Sequence, residues 1–301
     1  MPVTIMVPAM IISGFAVAAD RLPTDLPALL RRALPAPFTT AATERLGTPS
    51  LKITPSRAAD SAWDLSRAAA ADEDDRAKIL RADWHIGIAS ELPAGDLPLG
   101  LHLARATAKA IAETLCGVPI DLDSGQVLPA DPVSALDEFR LADGWLGASL
   151  PPYRNAGHCP ADDDDIDGCT CVDLTTRGLH RFGLPELEIT DVACPHDVAA
   201  LNILRTTAQR LLPLGRHPGD HVLPSEIPLT GEDFAAFWGA RDPMWDDGPV
   251  PVRLIEESPR RLSIRAPDDF PGTLNEWLWD ELPPILHDLL ICEPDGSPTP
   301  G

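Results

Sequence analysis

CTCVDLTTRGLHRFGLPELEITDVACPHD, residues 169–197, is the stretch that decides how the second half of this chain folds. Its pattern predicts a strand at 171–174, a short helix at 177–182 and a second strand at 187–192. An amphipathic helix is expected to follow at 197–212. Two strands joined by a short helix and followed by a long helix indicate an α+β fold.

The turn inside this stretch carries three residues with recognisable roles. Thr176 is expected to cap the short helix, and Gly183 to end it with a positive φ. Pro185 prevents the helix from continuing. The chain therefore has to reverse within a few residues and enter the second strand.

The same turn gathers charged side chains that predict a candidate catalytic site. Glu186 and Glu188 lie two residues apart at the start of a strand, so both side chains share one face. His180 precedes them, and a histidine facing a carboxylate is a common general acid and base pair. Arg177 and Arg181 are the candidate substrate-binding residues. An ion-pair network that only holds the turn is the alternative.

The segment TTRGLHRFGLPELEI, residues 175–189, resembles an uncharacterised bacterial domain family. Members of that family carry a similar turn, a helix ending in FG, then PELE and a strand. The resemblance is local and covers residues 169–212 best. It implies an α+β fold and the importance of this segment, and it implies no activity.

Cysteines near the turn raise the question of a metal. His158, Cys159, Cys169 and Cys171 could supply the four nitrogen or sulfur ligands of a zinc site. However, the first two are adjacent and the others form C-x-C, which departs from the usual C-x₂-C spacing. The spacing therefore predicts no stoichiometric zinc. Ordinary reduced cysteines are favoured, and a redox or disulfide role of the C-x-C pair is an alternative.

An acidic run next to these cysteines resembles the beginning of a calcium loop. Asp163, Asp165, Asp167 and Gly168 match its D-x-D-x-D-G opening, but Leu174 stands where a bidentate Glu is needed. A hydrated acidic loop is favoured, with weak Ca²⁺ or Mg²⁺ binding as the alternative. The sequence has no P-loop, dinucleotide fingerprint, nucleophile elbow or zincin motif, so no cofactor is expected.

The charge of the 301-residue chain limits its partners. It has 46 acidic and 24 basic residues and a net charge of −22. Nucleic acids and anionic membrane surfaces are disfavoured because both require clustered Lys and Arg. A polar small molecule or a basic protein is the expected partner. The oligomeric state is not readable from the sequence.

The first half is predicted to be a ferredoxin-like split βαβ unit. Its pattern runs strand, helix, strand, strand, helix, strand, with the clearest helix at residues 99–115. In the strand at 82–90, Trp84, Ile86 and Ile88 should share one buried face, with His85 turned the other way. The predicted divisions are residues 1–150, a second α+β half at 151–293, and a disordered tail at 294–301.

The long helices of the two halves share three residue types at a spacing of one hundred. The pairs are Arg105 with Arg205, Thr107 with Thr207, and Ala108 with Ala208. One interpretation is a distant duplication, and chance is the other.

Residues 1–19 form an apolar stretch that ends in small residues, as a signal peptide does. No Lys or Arg precedes it, and Pro8 interrupts it. These features favour a first strand at residues 3–12 and a cytoplasmic protein, with an export signal as the alternative.

Two functional classes fit these observations. One is an enzyme, cofactor-independent or metal-assisted, that uses acid/base chemistry on a polar, amine-bearing small molecule. The other is a non-catalytic acidic binding protein, such as an adaptor or antidote, that recognises a basic protein. The His and Glu cluster favours the enzyme, and the overall acidity favours the binding protein.

Overall fold

The computed structural model describes residues 2–36, 38–69, 71–129, 139–149, 169–292 and 298–300. Helices and several sheets are present together, so the chain has the α+β content that the sequence predicts. It divides into two compact units, one of residues Ala9–Phe139 and the other of Met1–Pro8 with Arg140–Gly301. The expected boundary at residue 150 therefore lies at 139/140 in the structure, and residues 1–8 belong with the C-terminal unit.

The elements are given in chain order. The strands are β1 (Val3–Val7), β2 (Met10–Ala19), β3 (Lys52–Arg57), β4 (Trp84–Pro93), β5 (Val118–Asp121), β6 (Gln126–Val127), β7 (Gly147–Ser149), β8 (Val172–Arg177), β9 (Glu186–Val192), β10 (Gly219–Leu223), β11 (Glu226–Leu229), β12 (Val250–Ser258), β13 (Arg261–Arg265), β14 (Leu290–Cys292) and β15 (Pro298–Pro300). The α-helices are α1 (Leu26–Ala33), α2 (Phe38–Arg45), α3 (Glu73–Arg81), α4 (Leu99–Leu115), α5 (Asp197–Leu211), α6 (Gly231–Trp238) and α7 (Leu274–Asp280).

In the unit Ala9–Phe139, an antiparallel sheet has the strand order β3-β4-β2-β5-β6. Helix α4 packs against β2, β4 and β5, and α1 and α2 pack against α4. Most of α4 is buried because its small Ala residues allow close approach to neighbouring elements. The predicted strand at 3–12 is divided at Pro8, with β1 in the other unit and β2 here.

The first half of β4 is buried on both faces, although the sequence predicted one buried face. Both of its isoleucines are buried as expected, whereas Trp84 is only half-buried. His85 points to the opposite face and is buried too. The reason is the segment between β3 and β4, whose Trp63 lies directly over Gly87. Sequence alternation along β4 does not reveal this second covering layer.

A buried histidine in α4 should make the fold sensitive to acid. His102 is 2% exposed, and burial, together with the nearby Arg105 charge, lowers its pKa from 6.5 to about 4. The unfolded chain therefore binds this proton near pH 6.5 while the folded chain does not. Stability should be highest above pH 6.5 and should fall by up to about 3 kcal/mol as the pH decreases towards 4.

Urea unfolding at several pH values would check this expectation. His102→Gln removes the titrating group, so the free energy of unfolding of the variant should depend less on pH between 6.5 and 4. Identical pH profiles for the wild type and the variant would contradict it.

In the C-terminal unit, a sheet has the strand order β11-β12-β13-β9-β8-β7. Strands β9 and β13 are parallel, and the other neighbours are antiparallel. Helix α5 packs on β8 and β9, and α6 packs on α5. Strand β1 pairs with β10 in an antiparallel ribbon, which explains why the first residues belong to this unit.

The strand orders of the two units do not support a duplication, because only the C-terminal sheet contains the parallel pair among the described strands. The shared Thr and Ala positions are buried in both long helices. Each helix packs on a sheet, and this common environment accounts for the similar residues.

Of the tail that the sequence predicted to be disordered, the structure describes residues 298–300. Strand β15 pairs antiparallel with β14, so residues 298–300 lie in a backbone ladder. No helix in the described part of the chain has the length and apolar character needed to cross a membrane.

Candidate functional site

The turn between β8 and β9 is tighter than the sequence predicted. The expected helix at 177–182 is a 3-10 turn at Leu179–Phe182. Thr176 lies within β8 and does not cap it. Gly178 and Gly183 flank the turn with φ of 107° and 73°, which confirms the positive φ expected at Gly183. Left-handed residues at both ends allow the chain to reverse direction in few residues.

Glu186 holds this turn through several hydrogen bonds. Its Oε2 accepts from the Thr176 hydroxyl at 2.8 Å, and its Oε1 accepts from the Gly178 amide at 3.0 Å. Oε1 also lies 3.3 Å from the His180 amide nitrogen and 2.9 Å from His180 Nδ1. The Thr176 hydroxyl in turn accepts from the Leu187 amide at 2.7 Å. One carboxylate therefore connects β8, the turn and β9.

The contact with Glu186 assigns the tautomer of His180. An ionised carboxylate only accepts hydrogen bonds, so Nδ1 must be the donor. In the neutral ring, Nε2 is then the basic nitrogen. The His180 side chain is 53% exposed, so this face of the turn is open to solvent.

The alternation of β9 places the two glutamates on one face of the sheet, as predicted. Leu187 and Ile189 are buried on the face that α5 covers, whereas Glu186 and Glu188 are on the opposite face. A carboxylate oxygen of Glu188 lies 3.1 Å from an Arg261 guanidinium nitrogen. The parallel pairing of β9 with β13 brings this arginine to the site.

A cleft of about 680 Å³ lies over this face of the sheet. Glu186 and several Ser and Thr residues contribute to its wall. Carboxylates and guanidinium groups line it together, namely Asp173, Glu188, Glu257, Arg177, Arg260 and Arg261. The cleft therefore presents both signs of charge to a ligand.

The structure separates the two arginines that the sequence analysis assigned to substrate binding. Arg177 lines the cleft. Arg181 is fully buried, and its guanidinium carbon lies 5.6 Å from the ring centre of Trp145. Arg181 is not among the cleft residues, so its position fits support of the 3-10 turn better than ligand contact.

A second cluster lies at the other end of the β8–β9 pair. The Sγ atoms of Cys169, Cys171 and Cys194 all lie within 4.8 Å of one another. Cys169 and Cys171 are buried, and Cys194 is partly buried. The other metal candidates from the sequence lie outside the described residues: His158, Cys159, Asp163, Asp165 and Asp167.

Comparisons of the chain with protein-family models, curated proteins and solved structures found no match. The assignment of a function therefore depends on the geometry of the cleft and of the cysteine cluster. The resemblance at residues 175–189 stays an expectation.

Sequence analysis missed the cleft residues that come from distant strands. Glu257, Arg260 and Arg261 belong to the hairpin of β12 and β13, and the parallel pairing of β13 with β9 has no local signal in the sequence. Cys194 was also missed as a cluster residue, although its position relative to the strands could have indicated it. It follows the second strand after one residue, and the antiparallel partner of that strand begins just after Cys171.

Proposed function

We propose that the protein is an enzyme that binds a polar, amine-bearing small molecule in the cleft over β8, β9 and β13 and acts on it by acid/base chemistry. The observation that carries the proposal is the 2.9 Å contact between His180 Nδ1 and Glu186, because Glu186 also lines the cleft. His180 is not itself among the residues that line the cleft, and its ring lies against the lining residue Glu186. An imidazole oriented by a carboxylate is a common arrangement of a general base.

The charges of the cleft favour a ligand with both an ammonium and an anionic group. Asp173, Glu188 and Glu257 can accept hydrogen bonds from an ammonium. Arg177 and Arg260 can bind a carboxylate or phosphate through paired N–H groups. A surface that recognised only a basic protein would not need these arginines, so the cleft favours the small molecule over the protein partner.

In the proposed reaction, Glu186 is a positioning residue and His180 is the catalytic base. Glu186 fixes the ring orientation and stabilises the imidazolium that forms when Nε2 accepts a proton. Mixed charges around the cleft hold the substrate so that this proton faces the ring.

His180→Gln is the variant that separates catalysis from support of the turn. We expect it to reduce turnover by about 10²-fold or more, since general acid and base catalysis typically contributes that much. The His180 side chain is 53% exposed, so the melting temperature should fall less than in Glu186→Gln, which affects every bond of that carboxylate. Candidate substrates would be identified by thermal shift with a panel of amino acids and phosphorylated amines, and turnover would be followed by mass spectrometry.

His217→Gln is the matched control, because His217 is exposed and lies outside the cleft. It should retain both turnover and stability. Arg177→Ala should weaken ligand binding in the wild-type background. A His180→Gln protein with unchanged turnover, or a panel without any ligand that depends on Arg177, would contradict the proposal.

Glu186→Gln does not separate catalysis from support of the turn. The carboxylate accepts hydrogen bonds from the turn as well as from the His180 ring. Its neutralisation should therefore lower both activity and stability.

We also propose a ferredoxin-like topology for the unit Ala9–Phe139 and a cytoplasmic location. The topology is supported by the strand order β3-β4-β2-β5 in the sheet. Along the chain, α1 and α2 connect β2 to β3, and α4 connects β4 to β5. The location is supported by the exposed free thiol of Cys116.

A further inference from the structure

The three clustered cysteines lie at the open end of the β8–β9 hairpin. Cys169 and Cys171 precede β8, and Cys194 follows β9 after one residue. Val172 pairs with Val192, so the antiparallel ladder brings the two flanking segments side by side. The turn with Glu186 closes the opposite end. Residues 25 apart in sequence therefore meet because of the strand pairing.

The sulfur positions fit a tetrahedral metal better than a disulfide. The Sγ atoms of Cys169 and Cys194 are 3.6 Å apart. Zn–S bonds of about 2.3 Å in tetrahedral geometry place two sulfur atoms about 3.8 Å apart. A disulfide requires about 2.05 Å. All three Sγ atoms lie within 4.8 Å of one another, so one ion can contact them together.

The surroundings favour the thiolate form that a metal needs. The Cys194 amide nitrogen lies 3.1 Å from Cys169 Sγ and donates to it. Cys194 also begins the 3-10 turn Cys194–His196, which leads directly into α5. Peptide dipoles at the start of a helix stabilise negative charge on a nearby sulfur.

The segment that carries Cys194 is held in place by α7. Asn275 Oδ1 accepts from the Ala193 amide at 2.8 Å, and its Nδ2 donates to the Asp191 carbonyl at 3.3 Å. Asn275 itself is buried. The third sulfur is thus positioned by the fold and not by a flexible loop.

We propose that Cys169, Cys171 and Cys194 bind one zinc ion that joins the open end of the β8–β9 hairpin. Zinc is the metal expected for a buried cluster of thiolates. Each thiol releases its proton to solvent as the ion binds, and no oxidation is involved. The sequence prediction of no stoichiometric zinc considered only the possible ligands at residues 158–171. Cys194 changes the donor set, because it adds a third sulfur to Cys169 and Cys171.

The zinc content of the full-length protein tests this proposal. Protein purified with a reducing agent and without chelator should contain about one zinc per chain by elemental analysis. Cys169→Ser, Cys171→Ser and Cys194→Ser should each lose the metal. Cys116→Ser is the matched control and should retain it, because Cys116 is exposed at the end of α4 and lies outside the cluster.

A cobalt titration keeps the test decisive if the serine variants fail to fold. Wild-type apoprotein should develop a thiolate-to-cobalt charge-transfer band that saturates at about one equivalent, and zinc should remove the band. Chelation should lower the melting temperature. The proposal would be overturned by protein that contains no zinc and gives no cobalt band. Iron in place of zinc, or a disulfide between Cys169 and Cys194 in freshly purified protein, would also overturn it.

Discussion

Phe15→Ala is expected to lower the free energy of unfolding by about 3–5 kcal/mol, the range for truncating a buried Phe. Phe15 is fully buried on β2, which lies between β4 and β5 in the sheet. Its ring faces neighbours from two strands, pairing in register with Ile88 and Asp121. The loss combines the transfer of the ring from the interior with the cavity that it leaves.

The matched control for this variant is Ile12→Ala on the same strand. The Ile12 side chain is 64% exposed, so its truncation should change stability by no more than about 0.5 kcal/mol. Urea denaturation followed by tryptophan fluorescence and circular dichroism would measure both variants. Equal effects at the two positions would contradict the burial of Phe15.

Gly215→Ala is expected to destabilise the C-terminal unit by about 1–3 kcal/mol or more, through a clash that side-chain motion cannot relieve. A Cβ at Gly215 would lie 2.0 Å from the carbonyl oxygen of Phe182. That oxygen belongs to the 3-10 turn that also carries His180. The backbone must therefore move, and the turn beside the cleft moves with it.

Gly95→Ala is the control, because Gly95 also lies in a 3-10 turn and nothing is within 4 Å of its Cβ position. Its stability should remain unchanged or increase slightly. The His180 ring resonances in NMR spectra should shift in Gly215→Ala and stay in place in Gly95→Ala. Undisturbed resonances with full stability in Gly215→Ala would contradict the close packing of this turn.

Local sequence features predicted much of the β8–β9 region. Gly183 was expected at a positive φ because Pro185 stops the helix, and the structure agrees. The alternation of side chains along a strand placed Glu186 and Glu188 on one face, and the structure agrees. These signals involve neighbouring residues, so a single sequence contains them.

The remaining features depend on contacts between distant residues. Nothing near Arg261 shows that β13 will lie parallel to β9 and complete the cleft. The packing of Trp63 over β4 could not be predicted either, because the residue pattern of a strand does not show which side chain packs on it. Arg181 was misplaced because an arginine in a polar turn is usually exposed, whereas here its guanidinium lies against Trp145.

The pairing of β1 with β10 sets an order of events during synthesis. Val3 is synthesised before the Ala9–Phe139 unit, but its partner Leu223 follows only after that entire unit. At translation rates of about 5–20 residues per second, this wait is on the order of ten to forty seconds. During that interval the apolar side chains of β1 have no native strand to pair with. The nascent chain therefore carries β1 without its partner strand after the Ala9–Phe139 unit has been synthesised.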